Sequence, residues 1–168
     1  IPMELVLSDD GSEAETVALL EAFAATRSWV TVVRSDTNRG KGHAVASGMR
    51  AARGAFRVFT DADLAYPLSQ VGRVLQELEG GADVVVANRM HPDTRYLVCP
   101  QDLRYHVLRH TVSRALNWVV RRALVPDVHD TQAGLKGFSA AAAMRIFART
   151  TIDRFAFDVE VLLLAQHM

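Results

Sequence analysis

Asp61-Ala62-Asp63 closes the apolar run Phe56-Arg57-Val58-Phe59-Thr60 and leads into Leu64-Ala65-Tyr66-Pro67, so two carboxylates one residue apart stand where a buried strand should end. Divalent cations prefer hard oxygen ligands and often keep water or substrate phosphate in their remaining positions. One or two such carboxylates can therefore hold a metal–diphosphate complex. The pair points to an enzyme that uses a phosphorylated donor with Mg²⁺ or Mn²⁺. A solvated turn after a strand explains the same residues, because Asp-Xaa-Asp is common by chance.

Other segments place chemistry at similar junctions. Leu5-Val6-Leu7-Ser8-Asp9-Asp10-Gly11-Ser12 ends a strand in two acids, then adds a glycine turn and a serine able to cap the next helix. A nucleotide base or ribose can be read by such acids, although Asp9 fits equally well as a helix cap. Asn38-Arg39-Gly40-Lys41-Gly42 offers backbone donors and two cations at a helix start, an arrangement suited to an anion. Arg104, Arg109, Arg114, Arg121 and Arg122 form either the solvated face of an amphipathic helix or a set of guanidinium forks for phosphate oxygens. His106 and His110 share a helical face but lack a third ligand, which favours a surface pair over zinc. Trp118 and Phe147 are expected in the core.

These residues need a sheet with helices on both sides. Glu4 to Ser8, Trp29 to Arg34, Phe56 to Thr60 and Asp83 to Ala87 read as strands, the last buried on both faces because it carries consecutive valines. Helical spacing covers Glu13 to Thr26, with Val17, Leu20 and Phe23 or Ala24 inward, then His43 to Ala52 and Pro67 to Leu78. Asn88 to Pro100 is loop-like and Leu103 to Leu124 helical. A short strand near Lys136 to Phe138, a helix from Ser139 and an apolar run from Phe155 to Ala165 complete the chain.

The chain has 168 residues, 49% of them hydrophobic, with 19 basic and 19 acidic side chains, enough for one domain with a sizeable core. Balanced charge without long same-sign runs argues against disorder and against nucleic-acid binding by bulk charge. The lone Cys99 cannot form an internal disulfide and fits a structural role in a reducing compartment. No stretch has the length and apolarity of a membrane span, and the start lacks signal-peptide character.

Taken in order, Asp-Asp-Gly-Ser, Asn-Arg-Gly-Lys-Gly, Thr-Asp-Ala-Asp, Asn88-Arg89, Asp130-Thr131-Gln132-Ala133-Gly134-Leu135-Lys136-Gly137-Phe138 and Phe155-Ala156-Phe157-Asp158-Val159-Glu160 resemble the large family-2 group of inverting nucleotide-sugar glycosyltransferases. The likeness is strongest to its polyprenyl-phosphate branch, typified by the dolichyl-phosphate β-glucosyltransferases. It covers nearly the whole chain and implies an α/β fold, a three-layer GT-A type (Rossmann-like) nucleotide-sugar-binding domain with a mostly parallel central sheet. It also implies donor contacts at Asp10, Lys41, Asp61 and Arg89, and metal binding by Asp61 and Asp63. The segment Asp130-Thr131-Gln132 would border the sugar and acceptor site, with Gln132 offering an amide to sugar hydroxyls and Lys136 a cation nearby, while Asp158 would orient the acceptor, act as a base or only anchor the final helix. Among the arginines of the amphipathic stretch, Arg104 and Arg109 are the candidates, with Lys136, for an acceptor phosphate. The implied partners are a nucleotide-sugar donor, a polyprenyl phosphate and the cytoplasmic face of a membrane.

The pattern departs from the family at its beginning. Members open with a strand ending in a Pro-Xaa-Tyr-Asn-Glu type motif, where this sequence has only Ile1-Pro2-Met3, so residues 1–168 are expected to form a single catalytic domain without its first strand. Mannosyl-transferring relatives often carry Gln two residues past the second acid. Ala65 at that position favours UDP-glucose over GDP-mannose. An ionised acceptor phosphate needs no strong base, whereas a hydroxyl acceptor would need one, with Asp158 the candidate. A nucleotidyltransferase should show a glycine-rich basic loop after its first strand, which is absent; a catalytically silent nucleotide-sugar-binding module remains an alternative.

Overall fold

A computed structural model of the chain describes residues 2–63, 65–92, 94, 118, 120, 122–126 and 128–168. Its elements run β1 (Leu5–Asp9), α1 (Ala14–Ala25), β2 (Val30–Arg34), α2 (Lys41–Ala51), β3 (Phe56–Thr60), α3 (Leu68–Glu79), β4 (Val84–Val86), β5 (Leu135–Ser139), α4 (Ala140–Phe147) and α5 (Phe157–Gln166). β1 and β2 pair in parallel, from Leu5 opposite Val30 to Asp9 opposite Arg34. A second ladder has the order β3-β5-β4, with both pairings antiparallel. The α/β architecture is the expected one, and β5 is where parallel pairing gives way. β3 and β4 run the same way, and β5 returns between them from the end at which they finish. That end collects the candidate site.

The register of β5 decides what each of its side chains meets. Side chains alternate across a strand. Leu135 packs with Val74 and Leu78 of α3 and with Phe56 and Val58 of β3. Phe138, on the opposite face, joins Phe59, Phe147 and Phe157 in the main core with Ala46, Met49, Ile146 and Val161. The Phe138 and Phe147 rings meet edge-on at 5.3 Å between centroids, an arrangement that aromatic quadrupoles favour. α3 thus covers one face of the sheet, and α2, α4 and α5 the other. Lys136 lies directly opposite Phe59 and two residues before Phe138, which puts a lysine on the core face.

Helix ends explain several boundary shifts. α4 starts where Ser139 Oγ accepts from the Ala142 amide at 3.2 Å. α1 has no side-chain cap; the Ser12 amide donates to Asp9 Oδ2 at 3.2 Å, so Asp9 fixes the preceding turn and the expected serine cap is absent. Val17 is buried on α1 as expected, and of the two alternatives Ala24 takes the inner position while Phe23 is 40% exposed. β4 is only half-buried, contrary to expectation, because it ends the strand order and pairs with β5 alone among the described residues. Phe147 is a core residue, whereas Trp118 is 63% exposed and Phe147, Phe138 and Phe157 fill the aromatic core instead.

Candidate active site

Asp61 follows the last residue of β3 and extends its pairing with β5 by one rung, its amide donating to the Gly134 carbonyl at 3.1 Å. A Cβ at position 134 would collide with the Asp61 carboxylate. Only glycine leaves room for that carboxylate to lie across the strand, where Oδ1 meets Lys41 Nζ at 2.6 Å. Lys41 begins α2, and its ammonium stands 5.9 Å from the Phe157 ring centroid. Asp63 is exposed; one oxygen accepts from the Ala65 amide at 3.0 Å, and the other has no partner among the described residues.

Asp10 faces the same end from β1. Its two oxygens accept from the Arg39 amide at 3.0 Å and the Gly40 amide at 2.7 Å. Gly40 sits at φ 117°, a conformation L side chains rarely adopt. The Arg39 guanidinium pairs with Asp153 at 2.8 Å, and the His43 amide donates to the Asp153 carbonyl. The 38–42 loop was expected to offer its amides to an anion. Those of Arg39 and Gly40 are already taken by Asp10, which also lets α2 begin at Lys41 instead of His43. His43 Nδ1, 3.9 Å from Asp10 Oδ1, is buried without a hydrogen-bond partner among the described residues.

Across the mouth, Arg89 follows β4 and grips Asp130 through two forked bonds, Nε to Oδ2 at 2.7 Å and Nη2 to Oδ1 at 2.9 Å. The Arg89 amide and the Gln132 amide add to this carboxylate, and Arg89 Nη2 also donates to the Gln132 carbonyl at 3.0 Å. Burial would raise the Asp130 pKa, but the guanidinium bond and charge outweigh it and hold the group below the ordinary value. Asp130 is only 4% exposed, and these bonds brace the loop before β5. Arg89, expected on the donor, is the other half of that brace. Gln132 is half-buried, and its side-chain amide has no partner among the described residues.

Lys136 and Asp158 meet each other, which for Asp158 is the helix-anchoring reading. Lys136 is fully buried, its ammonium 2.5 Å from Asp158 Oδ1 and 2.7 Å from the Ala133 carbonyl, with the Phe59 ring centroid at 5.5 Å. Its ammonium is taken up by these two bonds inside the fold. Asp158, 3% exposed in the first turn of α5, is paired with Lys136. Burial pushes the Asp158 pKa up and the Lys136 pKa down, and the partner's charge offsets part of each shift. The pair joins β5 to α5.

Among the described residues, no group of three or more His, Cys, Asp or Glu side chains could hold a metal ion by itself. Asp63 keeps a free oxygen, so a cation held by Asp61 and Asp63 would need a ligand such as a diphosphate to supply its remaining positions. Arg104 and Arg109, together with Cys99, His106, His110, Arg114 and Arg121, lie outside the described residues. The sequence pattern did not anticipate Gly134 as the seat of Asp61, the Arg89–Asp130 brace or the unpartnered His43 nitrogen. The first had a legible signal: a glycine one residue before a strand that returns beside an acidic strand end.

Carboxylates, a lysine and an unpartnered amide thus gather outside the strand ends of an α/β sheet, the place where such sheets bind their ligands. The chain belongs to glycosyl transferase family 2, whose model matches residues 2–145. It is 32% identical over 171 residues to a dolichyl-phosphate beta-glucosyltransferase of Dictyostelium discoideum, covering 98% of this chain and 51% of that protein. A protein of the same name from Drosophila melanogaster is 30% identical, with 98% and 52% covered. Glycosyltransferase AglD of Haloferax volcanii is 30% identical, with 97% and 25% covered. The chain spans about half the length of the dolichyl-phosphate beta-glucosyltransferases it matches.

Proposed function

We propose that residues 1–168 act as one catalytic domain transferring a hexose, glucose in preference to mannose, from a nucleotide diphosphate sugar to a polyprenyl phosphate, with inversion at the anomeric carbon. The reading rests on the Asp61 carboxylate, seated against Gly134 beside Lys41 and followed by the half-free carboxylate of Asp63. Asp61 and Asp63 would hold Mg²⁺ or Mn²⁺, which when bound neutralises the charge growing on the leaving diphosphate. Lys41 adds a cation beside them, Gln132 offers its amide to the sugar, and the Arg89–Asp130 brace fixes the loop that carries Gln132.

The names of the relatives support glucose and a dolichyl phosphate acceptor. The sealing of Asp158 supports the same class of acceptor, because a phosphate arrives already ionised while a hydroxyl would need a base. UDP-glucose is the favoured donor, on the strength of Ala65, and GDP-mannose the competing one. The site of action would be the cytoplasmic face of a membrane; no helix among the described residues is long and apolar enough to cross one. Incubation with UDP-glucose, GDP-mannose and a polyprenyl phosphate tests the proposal. Glucosyl lipid from UDP-glucose is the expected product. Transfer only from GDP-mannose would overturn the donor assignment, and transfer only to soluble alcohols would overturn the acceptor.

A further inference from the structure

Asp61 is claimed twice. Its Oδ1 lies 2.6 Å from the Lys41 ammonium, and the same carboxylate belongs to the pair that fits a divalent cation. The surrounding charges balance, Lys41 and Lys136 against Asp61 and Asp158, and they are close enough for Lys41 to act electrostatically on Lys136 and for Lys41 and Asp61 to act on Asp158. With Asp63, the second carboxylate of that pair, counted, a dication added while both lysines stay in place would leave one excess positive charge beside the Phe157 and Phe59 rings. One lysine must yield or a matching anion must arrive.

The two lysines differ in their freedom to move. Lys136 is enclosed and bonded to both Asp158 and the Ala133 carbonyl. Lys41 keeps 25% of its side chain in solvent and carries its charge on a flexible stem. The amides of Arg39, Gly40 and His43 are committed to Asp10 and Asp153, so among the side chains at this end of α2 a diphosphate would find the Lys41 ammonium as its adaptable cation.

We infer that Lys41 is an exchangeable counter-ion: it neutralises Asp61 in the donor-free protein and passes to the donor diphosphate as the divalent cation takes Asp61. The inference rests on the proposed donor site and adds a reversal of sign to it. Lys41 opposes the metal when the metal comes alone and assists it when a diphosphate comes too.

The test is Mn²⁺ titration of the protein and of Lys41→Met, each with and without UDP, with thermal melting to verify folding and Lys41→Gln as a second variant. Without UDP, Lys41→Met should bind Mn²⁺ about three- to five-fold more tightly, the scale of one partly exposed ion pair removed. With Mn²⁺ saturating, it should bind UDP about tenfold or more weakly, the scale of one charge-assisted bond lost. In an Asp61→Asn background the gain in Mn²⁺ affinity should vanish. Unchanged or weaker Mn²⁺ binding by both Lys41 variants, while Mn²⁺-dependent UDP binding persists, contradicts the exchange alone. Absence of Mn²⁺-dependent UDP binding in the unsubstituted protein removes the donor site and the exchange together.

Discussion

Two lysine–aspartate pairs stand within one charge cluster, and their surroundings give them opposite roles. Lys41–Asp61 lies at the mouth, with 25% and 33% of the side chains exposed, while Lys136–Asp158 lies inside, at 0% and 4%. Water screens and competes at the mouth, so that pair contributes little to stability and can be traded for a ligand. The inner pair is almost wholly withdrawn from solvent. Its charges were costly to bury, and neither can be removed alone without stranding the other. Distance in sequence does not separate the roles, since both pairs join segments far apart in the chain. The strand face does: Lys136 points with Phe138 into the main core, whereas Asp61 lies beyond the end of β3.

Truncating the two lysines in the same way should break or confirm this contrast. Lys136→Met leaves Asp158 buried and unpaired and should cost about 3–5 kcal/mol in chemical denaturation. The double variant Lys136→Met/Asp158→Leu should be less destabilised than either single change, and a simple sum of the two losses would contradict the assignment of a sealed pair. Gly134→Ala forces a methyl into the Asp61 carboxylate and should cost about 1–3 kcal/mol while weakening Mn²⁺-dependent UDP binding. Retained UDP affinity there would detach Asp61 from its seat.

The Asp130 brace sharpens the contrast through pH. Its folded pKa lies below the ordinary 3.8, so its stabilisation is present above that value and is lost as pH falls through the depressed one. Asp130→Asn should cost about 1–3 kcal/mol near neutral pH, and the gap to the unsubstituted protein should narrow below about pH 4. A gap that stays constant into acid would deny the Arg89–Asp130 charge pairing. Smallest of all, Lys41→Met should change stability by about 0–1 kcal/mol. A loss as large as that of Lys136→Met would erase the difference between the pairs.

Local pattern made the elements legible. Phe56 to Thr60 forms a strand as its apolar run demanded, and Asp61 and Asp63 follow it. Partner choice was not legible, because it depends on register and on contacts across the fold. Asp10 reads as a ligand in sequence, yet it meets the amides of Arg39 and Gly40 near the start of α2. Arg89 reads as a donor contact, yet Asp130 holds it. Lys136 carried a partial signal: strand alternation put it on the face of Phe138, and a buried lysine requires an acid such as Asp158 at the start of an apolar helix.

The most direct measurement is UDP calorimetry on the unsubstituted protein and on Asp63→Asn, each with Mn²⁺ and after EDTA treatment. If Asp61 and Asp63 hold a cation shared with the donor diphosphate, UDP binding will depend on Mn²⁺, and Asp63→Asn will lose that dependence while its melting temperature barely changes, because Asp63 is exposed. Equal UDP affinity with Mn²⁺ and after EDTA would contradict the account.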